Sequence, residues 1–334
     1  RDLVHDPNVD IVHIATPSHW HGIMAVEACK AGKDIFCEKP MTRTIGEGQK
    51  VVDAVRKYGR IFRLDTWFRF KDTFYGLGTT VEPLKKLVDS GVLGWPLTVR
   101  ISGATGFTWK FYWTGKENLE PQPVPKELNY DMWLGPAPFK TYHPHSVHQN
   151  FRGYWDYESG GLGDMGQHYI DPVQYILGKD DTFPVKVEVD APQQHPDAVG
   201  IWRSITYTYA DGCKIILEGE GFESKGKVPY IEGHKGKVYK GFECTIPNVQ
   251  EIINELPDPA PRETDFLDCV RSRRQFALNE SNGHHSATIV NMGVCALRLN
   301  RTLNFDPKTQ TFINDDAANR LVFQPMRGEW GKLI

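Results

Sequence analysis

Short apolar runs alternate with stretches of helical period over the first seventy residues, the pattern of parallel strands joined by crossover helices. Asp10 to Ala15 predicts a buried strand that Thr16-Pro17 closes. Trp20 to Ala31 carries apolar Ile23, Met24, Val26 and Ala28 and predicts a helix that Gly32 ends. Asp34 to Cys37 predicts a second strand, Thr44 to Tyr58 a second helix stopped by Gly59, and Arg60 to Thr66 a third strand. Strand, helix, strand, helix, strand is half of a doubly wound, Rossmann-like parallel sheet, whose ligands sit at the carboxyl ends of the strands. Those ends are Thr16-Pro17, Glu38-Lys39-Pro40 and Trp67 to Arg69.

The texture changes near residue 75. A helix is predicted over Val81 to Ser90 and a strand over Leu97 to Ala104, before a long aromatic, Pro-rich stretch. Val185 to Val189, Ile201 to Tyr209 and Cys213 to Gly219 alternate with period two, and Asp211-Gly212 between the last two signals a hairpin. Helices follow near Thr264 to Arg273 and Ser286 to Leu299, with His284-His285 as a cap, and the tail to Ile334 reads as irregular. The expected architecture is α/β plus α+β. Residues 1–74 are expected to form the C-terminal half of a dinucleotide-type domain, and residues 75–334 a second domain with a mainly antiparallel sheet and flanking helices.

Composition narrows the partners. A chain of 334 residues suits two domains, and 40% hydrophobic with 24% charged residues is ordinary globular usage. Lys and Arg number 39 against 42 Asp and Glu, a net charge of −3 that lacks the basic surplus phosphate backbones demand, so nucleic acid is not expected. No apolar run approaches the roughly eighteen residues of a membrane helix. Cysteines at 29, 37, 213, 244, 269 and 295 form no CxxC and read as isolated buried thiols. Arg1 to Pro7 shows no charged-then-apolar export pattern. Small molecules are the expected partners.

Gly161-x-Gly163-x-x-Gly166 matches a dinucleotide fingerprint formally, but Tyr154 to Ser159 before it form no buried strand to support a pyrophosphate. Asp164, His168 and Asp171 recur there at helical spacing and share one face. An imidazole with a carboxylate one turn away is a proton-transfer device; the alternative is a solvated polar face with a satisfied histidine. Pro172 removes the amide bond to the carbonyl of His168, so the helix kinks or restarts with Asp171 as cap. Lys39, at a strand end, can hydrogen-bond a substrate hydroxyl and favour a developing alkoxide, with Glu38 holding the lysine or a ribose. The alternative there is an exposed charge pair of little energy. His143, His145 and His148 would suffice for zinc in number, but Pro144 between them and the lack of carboxylate or thiolate partners favour a substrate-facing polar loop, with no metal. Trp109, Trp113, Tyr154, Trp155 and Tyr157, with Asp156, either stack on a pyranose or belong to the core.

Thr16-Pro17 followed by His21, Gly32-Lys33, Glu38-Lys39-Pro40, and Gly160-Gly161 leading into Asp164-x-Gly166-x-His168-x-x-Asp171 resemble the glucose-fructose oxidoreductase / inositol dehydrogenase / rhizopine catabolism family, Gfo/Idh/MocA. The resemblance spans nearly the whole chain. Trp133 to Pro138 and Asn319-Arg320 to Trp330 are similar to a bacterial branch with many exported members. It implies an NAD- or NADP-dependent enzyme acting on sugars, cyclitols or glycosides, with residues 75–334 as its substrate-binding and oligomerisation domain, built on an open sheet. Lys39 would touch nicotinamide ribose and substrate, His168 would be general acid/base and Asp164 its partner. Thr16, Pro17, His19, Trp20, His21, Glu38, Pro40 and Arg69 would line the cofactor, Pro40 after a cis bond. Tyr154, Trp155, Asp156, His145 and Asp171 would meet the substrate. The family's opening strand, glycine fingerprint and ribose-reading residue have no counterpart in the sequence, so NAD and NADP are not distinguished. Further implied are a homo-oligomer, dimer or tetramer, paired through the open sheet face, and two alternatives to a dehydrogenase: a glycoside-cleaving enzyme that oxidises transiently, and a catalytically idle sugar-binding subunit.

Overall fold

A computed structural model describes residues 2–70 and 80–334; the expected boundary between 74 and 75 lies outside the described residues. After a short α1 (Asp2–His5), strands β1 (Ile11–Ile14), β2 (Asp34–Glu38) and β3 (Phe62–Asp65) form a parallel sheet in the order β1-β2-β3, joined by α2 (His21–Lys30) and α3 (Ile45–Tyr58). Ile14 pairs with Cys37 and Glu38 with Asp65, which brings the three carboxyl ends level. Thr44 caps α3 by accepting from Glu47 N, and Gly59 ends it in the left-handed conformation at φ 58°, which a side chain adopts only at a cost.

The second region holds α4 (Val81–Asp89), β4 (Thr98–Ile101), α5 (Tyr130–Leu134), α6 (Gly160–Ile176), β5 (Lys186–Asp190), β6 (Ser204–Thr208), β7 (Lys214–Glu218), β8 (Pro229–Glu232), β9 (Lys237–Tyr239), α7 (Val249–Glu255), α8 (Phe266–Ser272), α9 (Glu280–Leu299), β10 (Leu303–Asp306), β11 (Thr311–Phe312) and α10 (Asp316–Val322). Its eight-stranded sheet runs β11-β10-β5-β6-β7-β4-β8-β9, antiparallel throughout except for the parallel β4–β7 pair. Period two puts Ile205, Tyr207, Ile215 and Leu217 on one face, where they pack in one core with Leu162, Tyr169, Ile170 and Val173 of α6 and Ile289 and Val290 of α9.

Three sequence expectations change. The tail is not irregular: Leu303 pairs antiparallel with Val187, so β10 extends the large sheet, and a tertiary pairing of this kind leaves little trace in local composition. His284 and His285 lie inside α9 rather than capping it; the cap is Asn279, whose side chain accepts from Ser281 and Asn282 N. The first core is also not confined to residues 1–74, because Phe266, Cys269, Phe276, Leu278 and Ala287 pack with Ile35, Cys37, Phe62 and Leu64. The C-terminal helices return to cover the parallel sheet.

Candidate functional site

The face of α6 bearing positions 164, 167, 168 and 171 docks on the carboxyl ends of β2 and β3 through polar contacts. Lys39 Nζ donates to the Asp164 carboxylate at 2.7 Å and to its carbonyl at 2.6 Å. The Gln167 side chain accepts from Met41 N at 2.8 Å. Thr66 Oγ1 lies 2.8 Å from His168 Nδ1. Arg69 forks onto both oxygens of Asp171, at 2.7 and 2.9 Å. Lys39, following β2, and His168, facing the end of β3, are thus both held along one face of α6, Lys39 through Asp164 and His168 through Thr66. Pro40 follows a cis bond, as the resemblance implied.

Asp164 has more partners than its spacing suggested. Its other oxygen accepts from Lys110 Nζ at 2.8 Å, and Arg152 Nε stands 3.6 Å from it. Burial works to raise this carboxyl, but Lys39 and Lys110 outweigh burial and hold it well below the usual carboxylate range. Asp164 thus fixes Lys39, the role expected of Glu38, and both of its oxygens are bonded to lysines rather than committed to His168. Glu38 instead has its carboxyl raised, first by burial and then by neighbouring Asp65. Glu158, next to the helix start, is nearly fully buried and its carboxyl is pushed up to about 7 by that burial, against the pull of Arg152 and Lys39.

Several expected ligand contacts are occupied by the fold. Arg69 and Asp171, 2% and 0% exposed, bond to one another, with Asp180 adding contacts at 2.6 and 2.8 Å, so among the described residues their polar atoms are committed to the fold. His21 is buried with Nδ1 2.8 Å from the Pro40 carbonyl and Nε2 2.8 Å from the Thr16 carbonyl; it ties the two strand-end loops together from behind. Burial, with Lys39 adding to it, lowers its pKa. His19 faces the Trp133 carbonyl at 2.9 Å and is driven by burial to about 3, while Trp20 donates to the same carbonyl at 3.2 Å. Of the loop after β1, Thr16 and Pro17 remain part-exposed at the rim, and among the described residues the Thr16 hydroxyl donates only to the Met24 sulfur, at 3.5 Å.

On the substrate side, Trp109 and Trp155 are core residues, and Trp155 Nε1 donates to the His195 carbonyl. Tyr154 is mostly buried, but its hydroxyl lies 2.8 Å from His145 Nδ1, and with Tyr157, Lys140, Ser146 and Asp197 it lines a cavity of about 330 Å³. Asp156 is paired with Lys140 at 2.7 Å. His143 uses Nδ1 to accept from His145 N, as a local cap. The glycine cluster has a packing explanation: a Cβ at Gly161 would stand 1.9 Å from the Trp109 carbonyl oxygen, and one at Gly163 would stand 1.6 Å from that of Glu158. Lys110, Arg152, Thr66 and Glu158 are the site residues that sequence reasoning missed. None stands at a spacing that links it to Lys39 or His168.

Two family profiles match. "Oxidoreductase family, NAD-binding Rossmann fold" covers residues 1–66, and "Oxidoreductase family, C-terminal alpha/beta domain" covers residues 77–332. The chain belongs to the Gfo/Idh/MocA oxidoreductase family. Among curated relatives it is 35% identical to the uncharacterized oxidoreductase YrbE of Bacillus subtilis over 54% of this chain and 39% of that one. It is 28% identical to levoglucosan dehydrogenase of Pseudarthrobacter phenanthrenivorans over 66% and 44%. It is 31% identical to inositol 2-dehydrogenase of Salmonella typhimurium over 42% and 40%. The chain spans less than half the length of these relatives in each match. The fold is similar to that of the WlbA dehydrogenase from Bordetella pertussis, solved with NADH and UDP-GlcNAcA, with a TM-score of 0.58 at 16% identity over 91% of this chain and 82% of that one.

Proposed function

We propose that the protein is an NAD(P)-dependent oxidoreductase that moves a hydride between nicotinamide and a hydroxyl-bearing carbon of a sugar, cyclitol or glycoside. The observation that carries this reading is that Lys39 and His168 are both held along one face of α6, at the carboxyl ends of β2 and β3, with Asp164 holding the lysine. The donor set fits a nicotinamide ribose. An ammonium has three N–H donors, and Lys39 spends two of them on Asp164. Among the described residues the Thr16 hydroxyl donates only to the Met24 sulfur, and Pro17 gives the rim an apolar wall. Thr16, Pro17, Lys39 and Pro40 would hold the cofactor's nicotinamide end, and when bound it takes up or gives the hydride.

The chain's own residues move the proton. A ring whose Nδ1–H donates to Thr66 Oγ1 has Nε2 as its basic nitrogen, and that nitrogen takes the hydroxyl proton as the substrate is oxidised. Lys39 stabilises the negative charge that develops on the oxygen, in a cleft where burial strengthens the interaction. Asp164 fixes the ammonium in direction through two hydrogen bonds. Replacing His168 with Ala is expected to lower turnover by about 10² to 10⁴-fold, with the circular dichroism spectrum unchanged. The measurement is the appearance of reduced nicotinamide with a panel of sugars and cyclitols. Turnover that survives the substitution overturns the assignment. We also propose a homo-oligomer paired through the sheet face bearing Ser204, Thr206 and Thr208, opposite the buried Ile205 and Tyr207; sedimentation tests it.

A further inference from the structure

The cleft holds more cationic donors than its own acids consume. Three cations surround Asp164: Lys39 at 2.7 Å, Lys110 at 2.8 Å and Arg152 at 3.6 Å. The second acid in reach, Glu158, is 3.6 Å from Arg152 and sits in surroundings that favour its neutral form. Glu38 also feels Lys39 but lies with Asp65 at the sheet ends, so Asp164 and Glu158 are the two carboxyl groups within 4 Å of Lys110 or Arg152 among the described residues.

The donors are positioned and largely unspent. Arg152 has five N–H groups, of which one makes a hydrogen bond among the described residues, from Nη1 to the Gln149 carbonyl at a long 3.4 Å, while Nε stands 3.6 Å from both acids. Its guanidinium carbon lies over the Trp113 ring at 5.2 Å and over the Phe151 ring at 4.8 Å, contacts that favour its place in the site before any ligand arrives. Lys110 spends one donor, on Asp164. Its backbone is left-handed at φ 54° in a turn closed by Trp113 N, an uncommon conformation that aims the side chain across the cleft at α6. Both side chains remain part-exposed, at 34% for Lys110 and 28% for Arg152. A neutral polyol would leave this surplus charge half-desolvated and unpaired, which is costly; a planar carboxylate would satisfy it through the arginine fork.

We propose that the substrate is an acidic sugar, and that Lys110 and Arg152 receive its carboxylate while Lys39 and His168 address the hydroxyl that reacts. This rests on the oxidoreductase reading for the second half of the statement only. The carboxylate site is a matter of charge and geometry and stands whether or not hydride moves.

The test is calorimetric binding of matched pairs to the protein: D-glucuronate against D-glucose, D-galacturonate against D-galactose, and D-gluconate against D-glucitol. At least one acid is expected to bind about tenfold or more tightly than its neutral parent, the return of one charge-assisted hydrogen bond. That advantage is expected to shrink below about threefold in Arg152→Gln and in Lys110→Met, and to weaken with added salt in the unaltered protein. The salt series keeps the test decisive where a variant does not fold. Equal binding of acid and parent, failure of every acid to bind, or an advantage insensitive to both substitutions and to salt overturns the proposal. Reduction of NAD or NADP by a neutral sugar without an acid advantage overturns the proposal and leaves the oxidoreductase reading intact. Tight, salt-sensitive binding of an acid with no cofactor reduction supports the proposal and counts against that reading.

Discussion

Thr66 is a small residue with a large assigned effect, since its hydroxyl, 2.8 Å from His168 Nδ1, holds the ring in one orientation. Thr66→Val keeps the shape and removes the oxygen. It is expected to lower kcat/KM by about tenfold, the worth of one hydrogen bond, and to displace the pH profile of that constant. Thr66→Ser is expected to restore both. An unmoved pH profile with lowered thermal stability would make Thr66 structural only. Lys39 and His168 were readable from sequence because strand ends and helix faces follow from period alone. Thr66 was not linked to His168, nor Lys110 and Arg152 to Asp164, because these pairings depend on how α6 lies against the sheet. The same limit explains Arg69 and Asp171: their positions were read correctly, but burial decides whether a charged group meets a ligand or another side chain, and burial is not a local property.

At the scale of elements, α6 shows why a motif needs its context. Gly161, Gly163 and Gly166 have fingerprint spacing, yet they lie in a helix whose backbone passes within contact of the Trp109 and Glu158 carbonyls. Gly161→Ala would drive a Cβ into the Trp109 carbonyl oxygen and push α6 away from the turn carrying Lys110. A loss of about 1–3 kcal/mol is expected in a denaturant titration, the usual cost of overpacking a filled site. A variant as stable as the parent would show that α6 has room the geometry denies. The start of α9 lies six residues before the expected one, and Met41 and Leu64 pack on the face that Gly283 leaves bare within it. Asn279→Ala removes the true cap and is expected to cost about 1 kcal/mol by the same measurement. The parallel strands and α3 were legible because apolar runs, caps and Gly59 agree with one another. β10 was not, because its partner β5 lies more than a hundred residues away, and β11, which pairs with β10, is only two residues long.

Over the whole molecule, charged and titratable groups buried between the two sheets set how stability responds to pH and to mutation. His284 is buried in α9, 2.6 Å from Gln310, and burial lowers its pKa to about 4. Its unfolded form takes up a proton below about 6.5 while the folded form does not, so its contribution is complete above that pH and declines as pH falls toward 4. His284→Gln is expected to remove up to about 2 kcal/mol of the stability difference between pH 7 and pH 5. The larger device is Arg69, which leaves the end of β3 to hold Asp171 of α6 and Asp180 beyond it, while its own carbonyl accepts from Arg262 at 3.2 Å. Arg262 in turn reaches Glu82 of α4, and the Tyr175 ring lies 5.3 Å from Arg69 and 4.4 Å from Arg262. The network ties the parallel sheet to the helices of the second region. Arg69→Met keeps the volume and strands Asp171 as an uncompensated buried charge, which is expected to cost about 3–5 kcal/mol. Adding Asp171→Asn should return part of that loss, because the two residues are coupled and the second change removes the charge the first exposed. Lower pH should narrow the gap between Arg69→Met and the parent, since protonation of the stranded carboxyl relieves it. Denaturant midpoints of the single and double variants at pH 7 and pH 5 measure all three effects. A mild loss in Arg69→Met that does not change with pH would mean that water or another side chain replaces the guanidinium, and that packing rather than this ion pair joins the two halves.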